Sequence, residues 1–217
     1  MKKPRIAITV GDPSGIGPEI AAAAAADPAV RAICDPVLYG PPPGQSFQPG
    51  VLSADAGRAA YEAIVRATDD AMRGSVDAVA TAPINKEALR LAGLPWSGHT
   101  DLLAHLTGTP RVAMMFHSEP LRVVLATIHV PLAAVPALLT RELMEETIAL
   151  TAREMPRFGW PFPRIGVAGL NPHAGEHGLF GREEERAIVP AIQAARARGI
   201  DVAGPFPADT LFVRATR

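Results

Sequence analysis

A single cysteine, Cys34, stands among 217 residues, so the chain can form no internal disulfide and no cysteine-based zinc site. It reads as a small buried hydrophobe in a reducing compartment. Aromatic residues make up only 5%, and 21 Lys and Arg balance 22 Asp and Glu, with no basic cluster interleaved with rings. That composition leaves no electrostatic footprint for nucleic acid. Apolar runs are broken by Pro, Gly or charge well before bilayer length. The start, MKKPRIAITVGDPSG, has two lysines before an apolar stretch too short for a signal peptide. A soluble cytoplasmic protein with no nucleic-acid or membrane partner is expected.

What the chain has in excess is proline, 22 residues and about twice the usual share. Much of it follows apolar, β-branched runs, as at Pro83, Pro131 and Pro172, where it stiffens the loops. Such runs at Arg5 to Val10, Asp35 to Tyr39, Asp77 to Thr81, Arg111 to Phe116, Leu121 to Ile128, Arg164 to Leu170 and Ile200 to Ala203 read as strands. Helical patterns lie between them. Pro18 to Ala26 starts on a proline suited to a first turn, Arg141 to Phe158 follows Thr140 as N-cap, and Glu183 to Arg198 ends at Gly199. This alternation predicts an α/β architecture. The segment GPPPGQSFQPG, Gly40 to Gly50, has no periodicity and reads as a linker or surface loop.

The chemistry-bearing residues follow strands. His129, in RVVLATIHVPL, and His173, in RIGVAGLNPHAGE, each come after an apolar run. If both strands belong to one parallel sheet, their C-terminal ends bring the two imidazoles toward one metal ion. Each is otherwise a satisfied rim residue. GDPSGIGPE follows the first strand but lacks both a Walker lysine and the GxGxxG spacing, so a tight turn beside a cleft is preferred to a nucleotide loop. In TAPINKE, Lys86 in a first helical turn opposes the helix dipole, leaving either an anion-reaching or a solvated lysine. In GHTD, His99 and Thr100 precede a short helix, where backbone donors favour phosphate or carboxylate; a simple Thr100 cap is the alternative. His105 and His117 read as surface or packing residues, and His177 as an outlying loop residue. Asp209, in GPFPADTLF, is able to orient a histidine or hold a substrate amine. No covalent nucleophile motif is present.

Taken together, GDPSGIGPE, TAPINKEAL, GHTD, ATIHVPL, LNPHAGE with FGREEE, and GPFPADTLF occur in the order of the 4-hydroxythreonine-4-phosphate dehydrogenase family, and the resemblance runs from Met1 to about Phe212. It implies an isocitrate-dehydrogenase-like α/β/α fold. It also implies a homodimer using NAD and a divalent metal (Zn, Mg, Mn or Co) held by three histidines, with ligands shared between subunits. On that resemblance His129 and His173 are metal ligands, and His99 and Thr100 contact the phosphorylated substrate. Asp209 and Lys86 are the catalytic candidates; no cofactor-binding residues are assigned. The implied chemistry is oxidation of a secondary alcohol followed by decarboxylation, in the pyridoxine pathway.

Two departures follow from the same resemblance. Family members continue past ADTLF with a Tyr-His-Asp-Gln segment carrying the third metal histidine and with much of the dinucleotide site. The chain is therefore expected to be a single truncated α/β unit, 1–217, lacking the C-terminal part of the family fold. The region around 40–50 is also expected to be shorter than in the family. Alternatives are a relative acting on another phosphorylated hydroxy acid such as a tetronate phosphate, a catalytically incompetent binding or dimerising remnant, and a phosphate acyltransferase on a related fold.

Overall fold

Ile6, Ile8 and Val10 alternate with Ala7 and Thr9 along the first strand, and the two sets bury against different helices. That alternation organises the first of two compact units in this computed structural model, which describes residues 2–216. The units are Met1–Pro110 and Arg111–Arg217.

In the first unit β1 (Arg5–Thr9) lies between β2 (Asp35–Tyr39) and β3 (Ala78–Thr81), all parallel. Ile6, Ile8 and Val10 pack on Ala21 and Ala25 of α1 (Gly17–Ala26). Ala7 packs with Ala67 and Ala71 of α3 (Ala54–Met72) on the other face. Small alanines let both helices approach the sheet closely, which is why the alanine-rich α1 carries no chemistry. Asp27 ends α1 and its carboxylate caps α2 (Pro28–Ile33) through the Ala29 N–H. Cys34 is buried, as the hydrophobe reading expected.

The longest helix, α3, was not among the predicted elements. Its buried face of Ala56, Ala60, Ala63, Ile64 and Ala67 has helical spacing, but alanine carries too little hydrophobicity to announce it. Ser53 caps it through the Ala56 N–H. Gly57 in α3 lies against α4 (Lys86–Leu91), where a Cβ would run into the Ala88 carbonyl oxygen. The segment 40–53 joins β2 to α3 without regular structure, as predicted for its first part, and Gly50 N–H bonds to the Ser14 carbonyl. α5 (His99–Leu106) completes the unit.

In the second unit β4 (Met115–His117) and β5 (Arg122–Val124) form an antiparallel hairpin, while β6 (Ile165–Ala168) pairs parallel with β7 (Val202–Phe206). The expectation of one parallel sheet carrying both histidine-bearing strands is corrected here: they belong to separate two-stranded sheets. The predicted strands 111–116 and 121–128 also shrink to three residues each, because the hairpin pairs no more of either run. Following α6 (Val135–Leu138), α7 (Arg141–Glu154) and α8 (Val189–Ala197) build the core with Met144, Ile148, Ile188, Ile192, Val167 and Val202. Thr140 caps α7 through the Leu143 N–H, and Gly199 takes φ +81° beyond α8, both as predicted. The start of the predicted 183–198 helix is instead a π-helical turn, Glu184–Ile188. α9 (Ala208–Ala215) closes the described chain.

Gly57→Ala sets two effects against each other. Helix propensity favours alanine by about 1 kcal/mol, whereas seating a methyl against backbone costs about 1–3 kcal/mol. Since the obstacle is the α4 main chain and not a flexible side chain, a net loss is expected, read as a lower urea midpoint. A raised midpoint would show that α3 and α4 do not pack this closely.

Candidate functional site

Beyond β6 the backbone turns left-handed for five consecutive residues: His173, Ala174, Gly175, Glu176 and His177 have φ of 53°, 54°, 82°, 41° and 55°. Each L-residue there costs roughly 1–2 kcal/mol. Such a run persists only when its surroundings over-determine it. The restraint is Glu184, 3% exposed, the first residue of the π-helical turn. Its Oε1 accepts the Asn171 N–H at 2.7 Å, and its Oε2 accepts Asn171 Nδ2–H at 2.9 Å. Glu183 Oε2 takes the same amide at 2.7 Å, and that bond holds the Glu183 carboxyl below the usual carboxylate range. A Cβ at Gly175 would meet Glu184 Oε2, so the turn and the carboxylate are built to touch. Asn171, Glu183 and Glu184 were not among the predicted site residues. Three consecutive glutamates stand at the predicted helix start, and nothing local says that the middle one is buried.

His173 stands exposed on this turn, 5.9 Å from the Phe180 ring. His129 also has a left-handed backbone, φ 56°, and is exposed beyond β5. Both proposed ligands thus occupy a conformation rare outside glycine. They do not, however, make a complete metal site. Among the described residues no three His, Cys, Asp or Glu side chains cluster as ligands for a cation. His177 shares the turn with His173, and Asp209 lies exposed in the first turn of α9.

In the first unit, His99 and Thr100 are the first two residues of α5, inside the short helix they were expected to precede. Asp101 reaches back over the helix start: Oδ1 accepts the Gly98 N–H at 2.9 Å, and Oδ2 accepts the Ser97 N–H at 2.6 Å and its hydroxyl at 2.9 Å. Burial tends to raise the Asp101 carboxyl, yet the bonds from Ser97, Gly98 and Leu102 together hold it below its ordinary value. So Asp101 is the principal cap, not Thr100. His99 Nε2 is buried without a hydrogen-bond partner, and burial pushes the imidazole below its ordinary pKa against the pull of Asp101. The first amides of α5 have no intrahelical acceptors. An orphaned ring nitrogen on a residue of a helix start suits an anionic oxygen.

Lys86 is exposed in the first turn of α4, and among the described residues it pairs with no carboxylate. Asn85 caps that helix through the Glu87 and Ala88 N–H groups. The GDPSG segment is a tight turn, as read from its residues. Asp12 Oδ1 accepts the Ser14 N–H, and the Asp12 N–H donates to the Pro83 carbonyl, joining the loops after β1 and β3. Gly11, at φ +67°, is needed there because a Cβ would strike that carbonyl. His105 stacks on Trp96 at 4.6 Å and His117 lies 5.8 Å from Trp160, both exposed, within the expectation of surface or packing residues.

A model of the family described as pyridoxal phosphate biosynthetic protein PdxA matches residues 18–217. The chain belongs to the PdxA family. It is 42% identical to a 4-hydroxythreonine-4-phosphate dehydrogenase of Desulforapulum autotrophicum, over 98% of this chain and 75% of that one. It is likewise 42% identical to a D-threonate 4-phosphate dehydrogenase of Cupriavidus necator, over 99% and 76%. The solved 4-hydroxythreonine-4-phosphate dehydrogenase of Klebsiella pneumoniae superposes with TM-score 0.91 at 40% identity, over 99% of this chain and 78% of that one. A terephthalate 1,2-cis-dihydrodiol dehydrogenase of Burkholderia xenovorans shares the fold at TM-score 0.68 and 33% identity. Its PdxA relatives are dehydrogenases, and this chain has the mixed α/β fold of that family's solved structures. The match to the Desulforapulum protein spans 254 positions against 217 residues here, so the relative carries residues within the matched span that this chain lacks. Among the described residues no helix is long and apolar enough to cross a membrane.

Two outcomes test this geometry. Glu184→Leu strands the Asn171 backbone N–H, leaves its side-chain amide to Glu183 alone and costs about 2–3 kcal/mol, with hydrogen exchange at Ala174 and Phe180 quickening before the rest of the unit. Uniform exchange throughout would show that Glu184 does not restrain the turn. For His99, the folded pKa lies below the unfolded 6.5, so its contribution to stability is complete above 6.5 and is lost as pH falls toward the depressed folded value. Urea midpoints should decline across that window in the parent and less in His99→Gln. Equal slopes would mean that His99 is not buried as described.

Proposed function

We propose that this PdxA-family chain catalyses NAD-dependent oxidation, with subsequent decarboxylation, of a phosphorylated hydroxy acid, 4-hydroxythreonine 4-phosphate first and D-threonate 4-phosphate second. The carrying observation is the orphaned, buried Nε2 of His99 at the start of α5, in a chain over 40% identical to dehydrogenases named for those two substrates. The second substrate is kept because that relative matches as well as the first.

In this reading the substrate phosphate takes the His99 ring, the Thr100 hydroxyl and the free amides of the first α5 turn. Neutral His99 makes the better resting state, because an imidazolium would be buried without a partner until the phosphate arrives. Binding then raises the His99 pKa and takes up a proton as pH falls. Lys86, exposed and unpaired, supplies a second positive charge for the substrate's anionic end. Asp209 serves as the carboxylate that accepts or orients a proton at the reacting hydroxyl. NAD, when bound, supplies the hydride acceptor.

A divalent cation is part of the same proposal, with His129 and His173 as its donors and their paired left-handed backbones as support. Two imidazoles are short of the three protein ligands usual for a catalytic site, so no step is assigned to the metal. A homodimer that shares the site between subunits would meet the shortfall.

NADH absorbance with each phosphorylated acid, with and without added Zn, Mg, Mn or Co, decides the matter. Turnover is expected with one of the two acids. His99→Ala should raise KM for it by about tenfold to a hundredfold, the worth of a hydrogen bond to a charged group, with a smaller change in kcat. Metal retained by the purified chain should fall in His129→Ala and in His173→Ala. No NADH from either acid refutes the activity, and unchanged metal content refutes the ligand pair.

A further inference from the structure

Trp96 stands three residues before α5, yet its ring packs on His105 in the second turn of that helix, with centroids 4.6 Å apart and planes 37° from parallel. Asp101 and His105 are four residues apart, so both stand on one face of α5. The chain before the helix is pinned to that face at two heights. Ser97 donates its N–H and its hydroxyl to Asp101 Oδ2, and Trp96 reaches one turn further along, to His105. Gly98, extended at φ 174° and ψ −166°, makes the reversal, and its N–H closes on Asp101 Oδ1. Residues 96–98 thus form a strap that runs back along the helix they precede.

The usual apolar fastening of a helix start joins the residue before the cap to the fourth residue of the helix. Here those are Ser97, polar and exposed, and Leu102, which is fully buried. The Trp96–His105 pair takes the place of that fastening. Water competes for the Ser97 bonds, which lie at the surface. The ring pair is the half of the strap that water does not replace. An eight-residue helix is too short to hold its own first turn. That turn carries His99, whose buried Nε2 has no partner.

We infer that Trp96 is a positioning residue for anion binding. Its stack on His105 holds the strap down, and the strap fixes the first turn of α5 and with it the place of the His99 ring. Trp96 acts through Ser97, Asp101 and His99, not by contact with the substrate. The inference rests on the proposed role of His99 as a phosphate ligand, and the experiment separates the two.

Inorganic phosphate is the probe, titrated by calorimetry into the parent chain, Trp96→Ala, Trp96→Phe, His105→Ala and His99→Ala, with amide exchange at Gly98 and Leu102 followed in the same proteins. Trp96→Ala should quicken both amides and weaken phosphate binding about threefold to tenfold, the worth of one aromatic pair. Trp96→Phe keeps a ring face and should restore most of both. His105→Ala should match Trp96→Ala, and the double variant should lose no more than either single one, because the two rings make one contact. With the phosphorylated acid in place of phosphate, KM should rise while kcat changes less. Unchanged exchange in Trp96→Ala overturns the strap. Quickened exchange at unchanged phosphate affinity, while His99→Ala weakens binding, overturns the positioning role and leaves the phosphate reading standing. Additive losses in the double variant, or a Trp96→Phe as weak as Trp96→Ala, overturn the ring pair as the cause. Phosphate binding that is absent in the parent, or indifferent to His99→Ala, overturns the phosphate reading and this inference with it.

Discussion

The buried carboxylate of Glu184 is the constraint on which the second unit's candidate chemistry depends. Four non-glycine residues in the left-handed region represent several kcal/mol of strain, roughly 1–2 kcal/mol each. No local preference of Ala174 or Glu176 favours that geometry, and the tolerance of histidine for it is too small to carry the run. What offsets it is a pair of short hydrogen bonds from Asn171 to one side chain that is almost wholly removed from water. A charged acceptor in such a place is worth more than one at the surface. The same carboxylate sits where a Gly175 side chain would be, so turn and clamp are mutually exclusive with any bulkier residue there. His173 is presented to solvent on a turn that cannot relax without stranding the Asn171 donors.

A different balance governs the first unit. There the helix start of α5 is neutralised by Asp101 from Ser97, Gly98 and Leu102, and the adjacent ring of His99 is left with a buried nitrogen that nothing in the fold satisfies. If Asp101 faced His99 as a close ion-pair partner, the imidazole would be raised; burial dominates and it is lowered. The fold thus supplies a buried ring nitrogen without a partner on the residue that opens α5. That orphaned nitrogen is why the anion-binding role is proposed for the start of α5 and not for Lys86 alone.

Sequence reading reached the elements whose apolar residues are large and whose caps are explicit. Ile6, Ile8 and Val10 marked β1, Thr140 marked the start of α7, and Gly199 marked the end of α8. It did not reach α3, because a face of alanines has helical spacing without the hydrophobic contrast that makes spacing visible. At the candidate site it found the histidines, whose chemistry is written in their side chains. It missed Asn171, Glu183 and Glu184, whose roles exist only once the segment after β6 folds back on the start of the next helix. Left-handed backbone at His129 and His173 was equally invisible, since a histidine in αL looks like any other in a string of letters.

The strands of the second unit show what pairing adds to periodicity. Leu121 to Ile128 is apolar and β-branched enough to read as one long strand, yet only Arg122–Val124 is laddered. The side chains specify an extended, buried segment; they do not specify a neighbour. Past Val124 the hairpin partner runs out, and the opposite edge meets a cavity in place of a strand. The same holds for Arg164 to Leu170, laddered on one side as Ile165–Ala168. Both runs are hydrophobic on both faces, the composition of strands interior to a sheet and not at its edge. Each run is written for an interior position yet laddered on one side only, and that one-sided pairing is why the regular strands come out shorter than the apolar runs that announced them.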